Sequence, residues 1–119
     1  MEKLFRELLR NFIIDVDGVE AVAICDRDGF IIDFESREES EESENDSFIG
    51  VISAAIDSSI ERIKKEFGES NFLNITSIEK KKFAFASMGP RSILTAVANP
   101  STTDVELRVY SEHIAGKIE

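Results

Sequence analysis

Apolar residues recur along this chain at the period of a helix and at the period of a strand. Leu4, Phe5, Leu8, Leu9, Phe12, Ile13 and Val16 fall on one helix face, with Glu2, Lys3, Arg6, Glu7 and Arg10 opposite. The spacing predicts an amphipathic helix ending near Ile14, after which Asp15, Asp17 and Gly18 lead the chain into a turn. Val19 to Cys25 is a short apolar run broken only by Glu20, and Phe30, Ile31 and Ile32 form a second run. Asp26, Arg27, Asp28 and Gly29 separate them. Asp suits the first position of a turn because its side chain accepts bonds from backbone further on, and Gly suits the fourth. Gly18 to Phe34 therefore reads as a tight β-hairpin with Asp26, Asp28 and Gly29 at its turn. Simple alternation puts Val19, Ala21, Ala23 and Cys25 on one face and Val22 and Ile24 on the other. A strand apolar on both faces belongs in a sheet covered on both sides.

From Glu35 to Asp46 the pattern stops. Glu35, Glu38, Glu39, Glu41, Glu42, Glu44 and Asp46 have only Arg37 as a counter-charge, with serines between. Carboxylates this dense repel and bury nothing, so a mobile acidic loop is expected over about 35–46. The run also suits a docking tail for a basic partner. As a calcium loop it lacks the glycine and the regular oxygen spacing of an EF-hand. Ser47 opens a long helical pattern in which Phe48, Ile49, Val51, Ile52, Ala55, Ile56, Ile60, Ile63 and Phe67 cover more than one stripe. Glu61 and Lys65 form an i,i+4 pair, and Gly68 stands at the C-cap. Such a helix must be covered on more than one side. A short chain has few elements to do that, so a partner chain is expected, with Ile52, Ala55, Ile56, Ser59 and Ile63 in the interface.

Phe72, Leu73, Ile75 and Ile78 suggest a third strand, and Glu79, Lys80 and Lys81 a turn. Phe83 to Ser87 is a fourth strand, with Met88, Gly89 and Pro90 as connector. Ser92 to Ala98 is a fifth, nearly all apolar and so central, broken by Asn99 and Pro100. Leu73 and Ile75 fall on a candidate edge strand and join the interface set. Ser101, Thr102 or Thr103 caps a last helix, with Asp104 and Glu106 in its first turn and Leu107, Tyr110, Ile114 and Ile118 on its apolar face. The order α-β-β-α-β-β-β-α predicts a single α+β domain, a five-stranded antiparallel meander with helices on both faces.

The length of 119 residues is that of one domain, and 42% hydrophobic residues suffice for a core. A net charge of -10 argues against nucleic acid and anionic membrane as partners, since both need a cationic footprint. One cysteine, Cys25, and one histidine, His113, build neither a disulfide framework nor a zinc cluster. No glycine-rich phosphate loop is present, and turn chemistry accounts for Asp26 and Asp28 without catalysis. No catalytic set, cofactor or metal is expected. No run reaches the roughly 18 apolar residues of a membrane span, and the N-terminus is not a signal peptide, so a cytoplasmic protein without membrane insertion is expected.

Gly18-Val19-Glu20-Ala21 leading into an apolar strand, Asp26-Arg27-Asp28-Gly29 at the turn, and Ile93 to Ala98 followed by Asn99-Pro100 resemble the roadblock/LC7 family in their order and separation. The likeness covers nearly the whole chain, and the acidic run is longer than family members usually carry. The resemblance implies a profilin-like domain that forms a homodimer, or a heterodimer with a paralogue. In such dimers the long helices pair antiparallel and the third strands join two sheets. It also implies a regulator or scaffold for small Ras-like GTPases, as an activator or an exchange platform. A second branch serves as a motor-complex light chain. The alternative is a profilin-like or PAS-like small-molecule sensor. That needs polar groups converging in a pocket, whereas the interior positions assigned above are almost wholly apolar.

Overall fold

The computed structural model describes residues 2–26, 28, 30–37, 61, 65, 72–78, 80–89 and 91–118. Helix α1 spans Glu2–Asp15, strands β1 Val19–Asp26 and β2 Ile31–Ser36, β3 Leu73–Ser77, β4 Lys82–Met88 and β5 Ser92–Ala98, and helix α2 Asp104–Ile118. The helix expected from Ser47 to Gly68 lies outside the described residues except at Glu61 and Lys65, which are both helical and exposed.

All strand pairings are antiparallel and the sheet order is β2-β1-β5-β4-β3. The nearly all-apolar β5 is central, as expected. The simple meander is not what forms: β3, β4 and β5 follow one another, but β2 and β3 lie at opposite edges, and β1 pairs with β5. Placing β1 and β5 side by side buries the two most apolar strands on both flanks, which a meander would not do.

Leu8, Leu9, Phe12, Ile13 and Val16 of the first helical stretch and Leu107, Ile114 and Ala115 of α2 share one core with one face of the sheet. Both fully described helices therefore cover that face. The opposite face is buried as well, at Ala21, Ala23, Cys25, Phe83, Phe85 and Ile93. Val19 departs from simple alternation: it joins Val22 and Ile24 in the helix-side core, apart from Ala21, Ala23 and Cys25. The cause is a bulge. Val19 pairs with Ala98 but Ala21 with Val97, so Glu20 is the extra residue and the face switches across it.

The joint between the first turn and α2 explains Gly18 and Asn99. Gly18 has a φ of +88°, which L side chains rarely adopt, and a Cβ there would lie 2.2 Å from the Thr102 hydroxyl oxygen. The Thr102 hydroxyl donates to the Asp17 carbonyl at 2.9 Å, and Asn99 N–H donates to the Gly18 carbonyl at 2.8 Å. Thr103 is the N-cap of α2: its Oγ1 accepts from Glu106 N–H at 3.1 Å, and the Glu106 carboxylate reaches back toward Thr103 N–H.

Candidate functional site

The hairpin turn is organised by one carboxylate. Asp26 Oδ1 accepts from Asp28 N–H at 2.9 Å and from Phe30 N–H at 3.0 Å, while Asp26 N–H donates to the Phe30 carbonyl at 2.9 Å. Asp26 is thus occupied in turn structure. Asp28 is exposed, and Gly29 lies outside the described residues. Cys25 is buried and His113 exposed on α2, where it meets the Tyr110 ring edge-on at 5.9 Å. Tyr110 O–H donates to Asp15 at 2.6 Å and its ring lies 4.7 Å from Phe12. Burial first, then this hydrogen bond and the charge of Asp15, push the Tyr110 hydroxyl up to about 12. Among the described residues no three His, Cys, Asp or Glu gather to hold a metal, and no helix is long and apolar enough to cross a membrane.

The acidic stretch begins later than expected, because Glu35 and Ser36 belong to β2. Arg6 faces Asp33 at 3.8 Å and Arg10 faces Glu35 at 3.2 Å, so a step of four along α1 matches a step of two along β2. Arg37 is not a stray counter-charge. Its guanidinium donates to the Val19 carbonyl at 2.9 Å and to the Ile13 carbonyl, and its own N–H donates to the Glu20 carbonyl at 2.8 Å. It ties the end of α1, the start of β1 and the end of β2 together. The signal for it was present in the sequence as the one cation among carboxylates.

Among the described residues the two edges of the sheet differ. At β2 the ladder slips between Ile24 and Cys25, leaving Ile32 as an extra residue, and Phe34 N–H is taken by Asp33 Oδ1 at 2.9 Å. A bulge and a capped donor are devices that stop another strand from adding. The β3–β4 ladder has neither: it runs without a slip from Leu73↔Ala86 to Ser77↔Lys82. Its hydrogen bonds alternate. Ile78 and Lys81 exchange N–H to carbonyl bonds of 2.9 and 3.4 Å, and Ser87 N–H donates to the Phe72 carbonyl at 3.0 Å. The antiparallel rule then turns the backbone groups of Phe72, Asn74, Thr76 and Ile78 toward β4, and those of Leu73, Ile75 and Ser77 outward. No described strand lies beyond them. Of the expected interface residues, Ile52, Ala55, Ile56, Ser59 and Ile63 lie outside the described residues, while Leu73 and Ile75 sit on this edge with half-buried side chains against the helix-side core.

No family model matches the sequence, and no curated protein matches it. Solved structures do. The gliding protein MglB of Thermus thermophilus superposes with a TM-score of 0.83 at 13% identity, covering 98% of this chain and 86% of its own. MglB of Myxococcus xanthus gives 0.80 at 14% identity, covering 96% and 90%. A roadblock/LC7 domain from Streptomyces avermitilis gives 0.79 at 9% identity, covering 95% and 92%. TM-scores of 0.79 to 0.83 over nearly the whole chain show that it has the roadblock/LC7 fold.

Proposed function

We propose that this chain is a non-catalytic regulator or scaffold that works as a dimer, with a second copy or a paralogue, and binds a small Ras-like GTPase in the cytoplasm. The observation that carries the reading is the contrast between edges: β2 is blunted by a bulge and a capped donor, while β3 presents regular, unslipped backbone outward. The second support is sequence: Phe48 to Ile63 carries more apolar positions than one face can hold. The GTPase comes from the roadblock/LC7 likeness in motif order and fold, and the choice between activator and exchange platform stays with experiment.

Light scattering at micromolar concentration tests the dimer, whose interface should bury at least about 1,200 Å². A dimer mass is expected, and a monomer mass contradicts it. Capture of the tagged chain from its native cytoplasm, with GTPases identified after loading with GDP or a GTP analogue, tests the partner. A GTPase retained in one nucleotide state is expected. Retention of none contradicts the reading and shifts weight to a small-molecule sensor.

A further inference from the structure

Glu20 is the one charged break in the apolar run of β1, and it stands where the ladder with β5 bulges. A bulge frees its extra residue from the ladder and re-aims its side chain. Two distant parts of the chain meet this residue. Its carbonyl accepts the Arg37 N–H at 2.8 Å, just past the end of β2. Its carboxylate meets the Lys81 ammonium, in the turn between β3 and β4. We infer that Glu20 is a coupling residue. It joins the end of β2 to the β3–β4 turn, so that a disturbance at Arg37 is felt two strands beyond β1.

The path is continuous along one end of the sheet. The Arg37 guanidinium holds the carbonyls of Ile13, near the end of α1, and of Val19, beside Glu20. From Glu20 the link to Lys81 passes β5, because the sheet order is β2-β1-β5-β4-β3. Two strand spacings make this a span of about 10 Å. The register places both groups at one level: Val19 and Lys82 each pair with Ala98, the last residue of β5. Lys81 then closes the hairpin. Its carbonyl accepts the Ile78 N–H at 2.9 Å, and its own N–H donates to the Ile78 carbonyl at 3.4 Å. These bonds lie within the hairpin, so the coupling stands apart from the proposed dimer.

The neighbouring lysine shows by contrast what this link is for. Lys82 ties β4 to the start of α2, donating to the Thr102 carbonyl at 2.8 Å and pairing with Asp104 at 2.7 Å. Its side chain is only 13% exposed. The Lys81 and Glu20 side chains are 41% and 39% exposed, so water and salt reach that pair. An ion pair this open shifts a local equilibrium by less than about tenfold, and it weakens as salt rises. Lys82 is the fixed support of the turn, and Lys81 is its adjustable one. Ionic strength, or loss of the Lys81 charge, releases the turn from β1 while Lys82 keeps β4 on α2.

Amide hydrogen exchange on the full chain reads the coupling. Exchange at residues 78 and 81 reports opening of the turn, and exchange at Ser87, whose N–H bonds the Phe72 carbonyl, reports the other end of the same hairpin. The variants are Arg37→Ala, Lys81→Met and the two combined. Each single change is expected to speed exchange at residues 78 and 81 about threefold and to leave Ser87 unchanged. The double variant should be no faster than either, since the second change meets a link already cut. Moving from low salt to 1 M should speed these amides in wild type and not in Lys81→Met. The charge swap of Glu20→Lys with Lys81→Glu should restore the wild-type rates. Should Arg37→Ala fail to fold, Arg37→Lys takes its place, keeping the charge but losing the paired guanidinium donors. Unchanged rates at 78 and 81 in the Arg37 variant contradict the coupling, and so do single effects that multiply in the double variant. Equal acceleration at Ser87 also overturns it, because the whole hairpin is then loosened rather than the turn.

Discussion

Gly18 joins two loops that are far apart in sequence, and its φ of +88° and the Thr102 oxygen leave no room for a side chain. Gly18→Ala is expected to cost about 3 kcal/mol, combining the left-handed penalty with loss of the buried Thr102 bond. Gly89 is the control: its φ is +65° but nothing lies within 4 Å of where a Cβ would stand, so Gly89→Ala should cost only about 1 kcal/mol. Urea unfolding of both separates clash from conformation. Tyr110 gives a second test. Its hydroxyl is pushed up to about 12, above its unfolded value, so the folded state favours the neutral phenol. That stabilisation is complete below about pH 10 and is lost as pH rises toward 12. Wild type should lose stability across that window faster than Tyr110→Phe, measured by urea unfolding at each pH. At this scale the sequence was partly legible. Asp26 announced its turn by residue type alone, but the need for glycine at 18 comes from Thr102, a contact between residues that no local pattern links.

Helices α1 and α2 were legible as elements because each carries a sustained period of 3.6, and the five strands because each is a short apolar-rich run bounded by turn residues. Their pairing was not, since β1 meets β5 across most of the chain and no local period records that. The bulge at Glu20 was likewise hidden: alternation assumes one residue opposite one, and a single extra residue moves Val19 to the other face. The acidic run was placed too early because Glu35 looks like its neighbours in sequence but is held in β2 beside Arg10. This yields a paired expectation. Replacing residues 38–45 by a Gly/Ser linker of equal length should leave the melting temperature nearly unchanged at low salt, because only mutually repelling carboxylates are removed. Arg37→Ala should instead destabilise by about 1–3 kcal/mol, because carbonyls of Ile13 and Val19 lose a charged donor. Equal effects from the two changes would contradict the division between Arg37 and the acidic run that follows it.

For the molecule as a whole, fold and edge were readable to different depths. The element order and the motifs around Gly18, Asp26 and Asn99 were enough to reach the roadblock/LC7 likeness, and Leu73 and Ile75 were placed on a candidate edge strand. Which of its backbone groups turn outward emerges only from the ladder with β4. The net charge of -10 should speed encounter with a basic GTPase face and make binding weaken as salt rises. A partner seated across a two-fold axis touches both copies, so binding should need the dimer. Ser77→Pro removes one outward N–H at an exposed strand end without touching the β3–β4 ladder, which an edge strand tolerates. Ile56→Asp breaks the expected long-helix seam instead, by placing an unpaired carboxylate there at a cost of several kcal/mol. The most direct measurement is a titration of purified Ras-like GTPases from the same cell, loaded with GDP or a GTP analogue, against wild type and these two variants. Tight binding of one GTPase by wild type in one nucleotide state, lost in both folded monomeric variants, is the expected result. Binding of none, or equal binding by a folded monomer, would contradict the account.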